Sequence, residues 1–354
     1  MKKFIIKISY FLLPVILLHI FTYYFYRTDK GDLLRVGYIM SLYPDYYDIF
    51  KSEFKNEIKF SRLSEQKEKK KFKALTIGDS FSEQGIYGYN NYLAMNNIDL
   101  LHIDRFISGN QFQTLYSLLK GDFFDQYSFD FVILQCIERD LIELIEEMET
   151  DKSLSCAEIK DLIEKKGEVK KADSSFKFPS DRVLKIPYNA VQYALNDDYL
   201  FDEMVIKTKI NQDLFSTENK ELLFFKHDIA AVEKNNNESN LEKLNFVLND
   251  LNNLLKNKGI KLIFLPSPDK YDIYYNFITD KSNYPKPLFF DLFEKVDKNY
   301  ICINSKPLLV NAVNESKDIY LYDDSHWSPK GTKIIADEIR KQIYLNDNNS
   351  DLID

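Results

Sequence analysis

Two short stretches carry side chains able to do chemistry together. The first is "LTIGDSFSEQG", residues 75–85, where an apolar run suited to a buried strand stops at Gly78-Asp79-Ser80. The second is "YDDSHWSPKG", residues 322–331. A serine hydroxyl is a weak nucleophile until an adjacent base takes its proton. A neutral histidine is the usual base, because its unperturbed pKa lies near neutrality. His326 has Asp323 and Asp324 just upstream, and either acid can turn back to hold the ring Nδ1–H. A glycine at a strand end lets the chain turn sharply and present Ser80 there. A helix begun just after it would offer free N–H groups to a developing negative charge. Such a constellation points to acyl transfer through a serine ester.

The chain has four histidines, and the other three fit this role less well. His19 lies in an apolar N-terminal run. His102 lies mid-strand and reads as a core residue. His227 stands beside Asp228, which leaves "HD" as a fallback dyad.

From residue 73 strand and helix patterns alternate. "KALTIGDS", "IDLLHID" (98–104), "FDFVILQC" (129–136), "IKLIFLPSP" (260–268) and "NYICINS" (299–305) read as strands, several of them fully apolar. Helical spacing appears at 110–121, 141–149, 238–259 and 328–343. This rhythm predicts an α/β fold, a three-layer doubly wound parallel sheet with helices on both faces. The expected organisation is an anchor at 1–27, a juxtamembrane segment at 28–72, the α/β domain at 73–345 and a disordered tail at 346–354. The juxtamembrane segment includes a short helix near 45–60. At about 150–235 the rhythm fails, and this polar stretch is expected to form an inserted cap or subdomain.

The 354 residues carry a net charge of −8, which argues against a nucleic-acid binder. The basic run "KEKKKFK" at 67–73 reads as a solvated connector or a contact for anionic lipid headgroups. The three cysteines form no disulfide or zinc pattern, and no metal or cofactor is expected. From Ile8 to Tyr26 there is no formally charged side chain, about the length that spans a hydrocarbon core of roughly 30 Å. No small-x-small cleavage site follows. A retained single span is therefore expected, against the alternative of a buried core helix. Lys2, Lys3 and Lys7 favour the N-terminus inside and the body outside the cytoplasm, although Arg27 and Lys30 weaken the bias.

"IGDSFS" and "DDSHW" resemble the GDSL/SGNH hydrolase superfamily over roughly 73–136 and 238–343. The resemblance implies Ser80 as nucleophile and His326 with an acid as its partners. It also implies Gly109, in "IDRFISGNQ", as an oxyanion donor alongside the Ser80 N–H. The superfamily's third block, Gly-x-Asn-Asp, departs here to "QCIERDL", with Ile137 for the glycine and Arg139 for the asparagine. Arg139 then either donates to the oxyanion itself or pairs with Glu138 or Asp140.

"GDSFSEQGIYGYNNYLA", "LIFLPSPDKY" and "DSHWSPKG" further resemble the membrane-anchored branch that includes alginate O-acetyltransferases and related exopolysaccharide-modifying proteins. That branch implies Asp324 as the acid and Trp327 as part of the Asp-x-His-Trp element and a substrate-binding residue, while wider superfamily spacing implies Asp323. In the alginate proteins that element precedes the serine. Here it follows, as in the wider superfamily and in the anchored D-alanyl-transfer partner of teichoic-acid modification. Lys270, in "PSPDKY", is either a binder of an acidic sugar or oxyanion, or a plain surface lysine. The resemblance implies acetyl transfer to a cell-surface or exported polysaccharide. It implies a protein of the inner (cytoplasmic) membrane with its catalytic domain extracytoplasmic, and a polytopic membrane-bound O-acyltransferase as partner. The alternatives are a carbohydrate esterase and a non-catalytic component of a polysaccharide export complex.

Overall fold

The apolar strands place alternate side chains on opposite faces, and both faces are covered. In β6 (Phe131–Ile137), Phe131 and Ile133 enter one core while Val132 and Leu134 enter the other. In β10 (Lys261–Ser267), Ile263 and Leu265 share the first core and Leu262 and Phe264 the second. A strand buried on both faces must be apolar at nearly every position, which is why these runs do not alternate with polar residues. In this computed structural model of the chain, residues 2–27, 31–33, 38–39, 50, 52–65, 69–103, 110–173, 182–200, 204–217 and 220–348 are described.

The sheet has six parallel strands in the order β11-β10-β6-β4-β5-β3, with β3 at Ser61–Arg62, β4 at Ala74–Ile77, β5 at Leu100–Ile103 and β11 at Ile301–Cys302. β4 pairs with β5 on one side and β6 on the other. The chain thus leaves β4 in one direction and later returns to build in the opposite one. The carboxyl end of β4 is the switch point, where open α/β sheets form a ligand crevice. Ser80 lies three residues beyond that end. The fold is the α/β arrangement expected.

Several details differ from expectation. The sheet begins before residue 73, because β3 pairs with β5 as an edge strand. Around 45–60 a single turn of 3-10 helix, Glu53–Lys55, is described, and residues 41–49 lie outside the described residues. The closing helix runs Pro329–Asn348, past residue 345; residues 349–354 lie outside the described residues. The stretch at 150–235 holds helices Cys156–Asp173 and Arg182–Leu195, then an antiparallel sheet of β7 (Asp198–Leu200), β8 (Met204–Lys209) and β9 (Glu221–Phe225), then helix Lys226–Asn235. β9 is no surface feature, since Leu222, Leu223 and Phe224 join the first core and Phe224 meets Tyr271 at 5.0 Å.

The N-terminal helix Lys2–Phe25 is apolar on every side and almost wholly exposed, with Phe11 at 80 % and Tyr10 at 73 %. Within its segment Lys2–Thr22 an 18-residue stretch has a mean hydropathy of 2.2, and the segment is long and apolar enough to cross a membrane. It is followed by a short antiparallel pair, β1 (Tyr26–Arg27) with β2 (Tyr38–Ile39).

Gly78 closes β4 by close approach, because a Cβ there would lie 2.1 Å from Ser82 Oγ and 2.4 Å from Gln135 Oε1. A Gly78→Ala variant is expected to lose about 1–3 kcal/mol or more of stability through overpacking. Urea unfolding of the detergent-solubilised chain checks this; parental stability would contradict it.

Candidate active site

Ser80 stands on a short 3-10 turn, Ser80–Ser82, followed by a second at Gly85–Tyr87 and only then by helix Tyr89–Met95. No long helix starts at the serine, contrary to the expectation above. Gly85, at φ 62°, and extended Gly88 keep the chain from continuing as one helix. Asp79 shapes the turn instead. Its carboxylate accepts from the N–H of Phe81 at 2.9 Å and from that of Ile137 at 2.6 Å, tying the end of β4 to the end of β6. Gln135 completes the tie. Its Oε1 accepts from the Asp79 N–H at 3.0 Å and from Ser82 Oγ at 2.8 Å, while its Nε2 donates to Ser267 Oγ on β10 at 2.9 Å.

His326 comes from the loop between helix Ser305–Glu315 and the closing helix, 246 residues from Ser80, and meets it. Ser80 Oγ lies 2.7 Å from His326 Nε2. His326 Nδ1 lies 2.5 Å from Asp324 Oδ1, and the His326 backbone N–H donates to the same oxygen at 2.9 Å. With Asp324 accepting from Nδ1–H, Nε2 is left as the acceptor for the serine hydroxyl. Burial alone would push the His326 pKa down. The Asp324 charge and hydrogen bond, with Asp32 adding to them, outweigh it and hold the pKa above its ordinary value. Burial likewise opposes ionisation of Asp324, but the imidazole and its hydrogen bonds hold that carboxyl at about 2.

Asp323 does not pair with the imidazole. Burial and the neighbouring Asp324 charge push its carboxyl up to about 7. Its backbone carbonyl accepts from the N–H of Leu33 at 3.0 Å. Of the two upstream acids, it is Asp324 whose carboxylate touches the imidazole.

A third acid, which sequence reasoning missed, comes from the segment that follows the N-terminal helix. Asp32 accepts from the Ser325 N–H at 2.7 Å and from Ser325 Oγ at 2.6 Å, and its own N–H donates to Asp324 Oδ2 at 3.3 Å. Its Oδ2 lies 3.7 Å from His326 Nδ1. Gly31, at φ +70°, permits this docking, since a Cβ there would lie 2.7 Å from the Asp323 carbonyl oxygen. Asp32, Asp324 and His326 bring ligand atoms within 4.8 Å of one another, close enough for a cation. Their hydrogen bonds to one another and to Ser325 already satisfy them. Nothing in the spacing of "KGDLL" signals the role of Asp32. Gln135 did leave a sign, as the one amide within an apolar strand run.

Two expected ligand contacts are corrected. Lys270 is buried at 1 % exposure and donates to the carbonyls of Leu321 and Tyr322 at 2.7 Å each and of Asp324 at 3.2 Å. Burial pulls its pKa down to about 7. Trp327 is fully buried, its Nε1 donating to Tyr320 Oη at 2.9 Å and its ring 4.8 Å from Phe81. Both side chains are buried and brace the histidine loop.

Arg139 is likewise engaged, its guanidinium meeting Asp269 at 2.8 Å and Asp228 at 3.2 Å, with Asp140 at 3.9 Å. It forms ion pairs, but chiefly with Asp269 and Asp228 rather than with the expected Glu138 or Asp140, and it lies 5.4 Å from the Phe225 ring centre. Asp228 is taken by this pair, and His227 lies 4.0 Å from Asp140 rather than in a dyad with its neighbour. Among the described hydrogen bonds none uses the Ser80 N–H. Gly109 lies outside the described residues. His102 is a satisfied core residue, held by Thr76 at 2.9 Å and Glu83 at 3.0 Å.

Residues 220–352 match the sequence model of a family described as the SGNH hydrolase-like domain of acetyltransferase AlgX. The parallel sheet with flanking helices agrees with that SGNH-like assignment. The matched stretch contains Lys270, Asp324 and His326 but not Ser80, so it is the fold that joins the serine to the family's region. No curated protein and no solved structure matches the chain.

Two predictions follow from the pairing of acids. Asp324→Asn is expected to lower kcat for ester turnover about 10⁴-fold, as loss of a triad acid does elsewhere, whereas Asp323→Asn should stay within about tenfold of the parent. Steady-state kinetics on an aryl ester separate them, and equal losses would contradict the assignment. The imidazole must be neutral to accept the serine proton, so activity falls as pH drops through its raised pKa. Asp32→Asn removes a charge that raises that pKa and should move the acidic limb of kcat/KM to lower pH. A shift to higher pH, or none, would contradict it.

Proposed function

We propose that this protein is a membrane-anchored acyltransferase that moves an acetyl group onto a cell-surface or exported polysaccharide through an ester on Ser80. In the first half-reaction Ser80 Oγ attacks the donor's carbonyl carbon while His326 Nε2 takes the hydroxyl proton. The tetrahedral oxyanion is met by the Ser80 N–H. Collapse breaks the bond to the donor's leaving group, which takes the proton from Nε2, and acetyl-Ser80 remains. In the second half a sugar hydroxyl gives its proton to His326 and attacks the ester. Ser80 leaves with that proton, and the acetylated sugar is released. Asp324 holds the ring in the required tautomer and stabilises the imidazolium of each half.

The observation that carries this reading is the 2.7 Å contact of Ser80 Oγ with His326 Nε2, backed by Asp324 at 2.5 Å. The acetyltransferase description of the matched family supports transfer over plain hydrolysis. The apolar helix Lys2–Thr22 supports an anchored protein, with its body outside the cytoplasm on the charge rule. Acetyl donors are cytoplasmic, so a body outside needs the acetyl group carried across the membrane. A polytopic membrane-bound O-acyltransferase is the partner that chemistry calls for.

The test incubates the detergent-solubilised full chain with an aryl acetate, with and without an oligosaccharide acceptor. Acetylated oligosaccharide that disappears in Ser80→Ala is the expected result. Acetate release unchanged by acceptor, with no acetylated sugar, makes the protein an esterase. No turnover and no acetyl-Ser80 by mass spectrometry leaves a non-catalytic export component.

A further inference from the structure

The Tyr188–Leu195 half of helix Arg182–Leu195 is inside out. Its described residues from 188 onward bury Asn189 and half-bury Gln192 and Tyr193. Its exposed residues from Tyr188 to Leu195 are Tyr188, Ala190, Val191, Ala194 and Leu195, all without charge and all but the tyrosine hydroxyl apolar. Tyr188, Val191 and Leu195 recur at helical spacing and stay 61 %, 55 % and 78 % exposed. A helix at an aqueous surface points the other way, with its apolar stripe toward the core.

The helix also has a telling neighbour. It packs against the N-terminal apolar helix. Among its described residues the buried ones are His19 and Thr22, at the carboxyl end of the Lys2–Thr22 span. A 21-residue helix is about as long as the hydrocarbon layer is thick, which puts His19 and Thr22 at its far boundary. Tyr24, just beyond, is 65 % exposed, as suits an aromatic at the headgroup level. The inside-out helix therefore meets the span at the depth where amphipathic helices lie in the plane of a bilayer.

We propose that helix Arg182–Leu195 is a membrane-surface element whose Tyr188-Val191-Leu195 face is covered by the headgroup and acyl boundary of the bilayer. It holds the Ser80–His326 site against the membrane surface. The link to the site is short. Tyr193 Oη meets Tyr322 Oη at 2.9 Å, two residues before Asp324. From the other side Asp32 docks on Ser325, only seven residues after the span's helix ends at Phe25. Seven extended residues reach at most about 25 Å. A substrate that arrives within or from the membrane then meets the serine without crossing bulk water. The docking itself does not depend on the acyl-transfer reading, and its test uses no activity.

The test places a fluorophore on the face. A Leu195→Trp full-length chain is reconstituted into phosphatidylcholine vesicles with increasing fractions of brominated lipid. The parent, whose one tryptophan is the buried Trp327, gives the background to subtract. The expected result is quenching of the added emission that rises with bromolipid and resists aqueous iodide. Quenching by iodide but not by bromolipid would overturn the proposal. So would an Asn196→Trp control, one residue beyond the apolar helix, quenched as strongly by bromolipid as Leu195→Trp. Iodide protection in crowded vesicles that vanishes in single-copy nanodiscs would mean a second copy covers the face, which also overturns it. Carbonate extraction of the chain from vesicles would overturn it too, since the neighbouring span would then not be in the bilayer.

Discussion

Everything at the site depends on holding one imidazole between a hydroxyl and a carboxylate, on a loop with almost no regular structure of its own. The loop from Tyr320 to Ser328 is fixed from below and from the sides. Lys270 reaches up to three of its carbonyls, Trp327 wedges beneath it against Tyr320 and Phe81, and Ser328 Oγ donates back to the Asp318 carbonyl. Gln84, four residues after Ser80, donates to the Trp327 carbonyl at 2.8 Å and so spans the two halves of the site directly. The Phe81 ring lies 4.6 Å from the imidazole itself. Hydroxyl and base are thus positioned by groups that are already satisfied and packed, the condition for a preorganised site.

That preorganisation buries charge. Arg139, Asp228 and Asp269 form a cluster in which burial pushes both carboxyls above their usual range. Such clusters seldom add net stability, because desolvation offsets the attraction. Their effect is geometric. The Arg139 cluster joins the end of β6, the start of helix Lys226–Asn235 and the end of β10, three of the ends that surround the crevice. In this chain an arginine held by two acids stands where the superfamily resemblance implied an asparagine donor.

The parallel sheet was legible because strands buried on both faces leave continuous apolar runs, and these appear in the sequence as such. Ser80 and His326 were legible because a glycine-acid-serine turn and a histidine behind two acids are rare in a chain with four histidines. What sequence could not show is which side chains end up facing inward. Lys270 and Trp327 look like ligand-binding residues by type, and only the packing reveals that both are spent on backbone and core. Asp32 is further removed still. Its part arises from a contact across 293 residues, for which local pattern holds no trace. The irregular composition of 150–235 hid an ordered sheet for a related reason. β8 is only partly buried, and β9 is too short to show a period before helix Lys226–Asn235 begins.

The central claim is that His326 activates the Ser80 hydroxyl, and an active-site-directed fluorophosphonate tests it most directly. The reagent bonds to an activated serine and leaves others alone. Digestion and mass spectrometry of the labelled full chain should place the phosphonyl group on the peptide holding Ser80. The label should fall to background in His326→Ala as well as in Ser80→Ala. A label on any other serine, or equal labelling of Ser80 with and without the imidazole, would contradict the account.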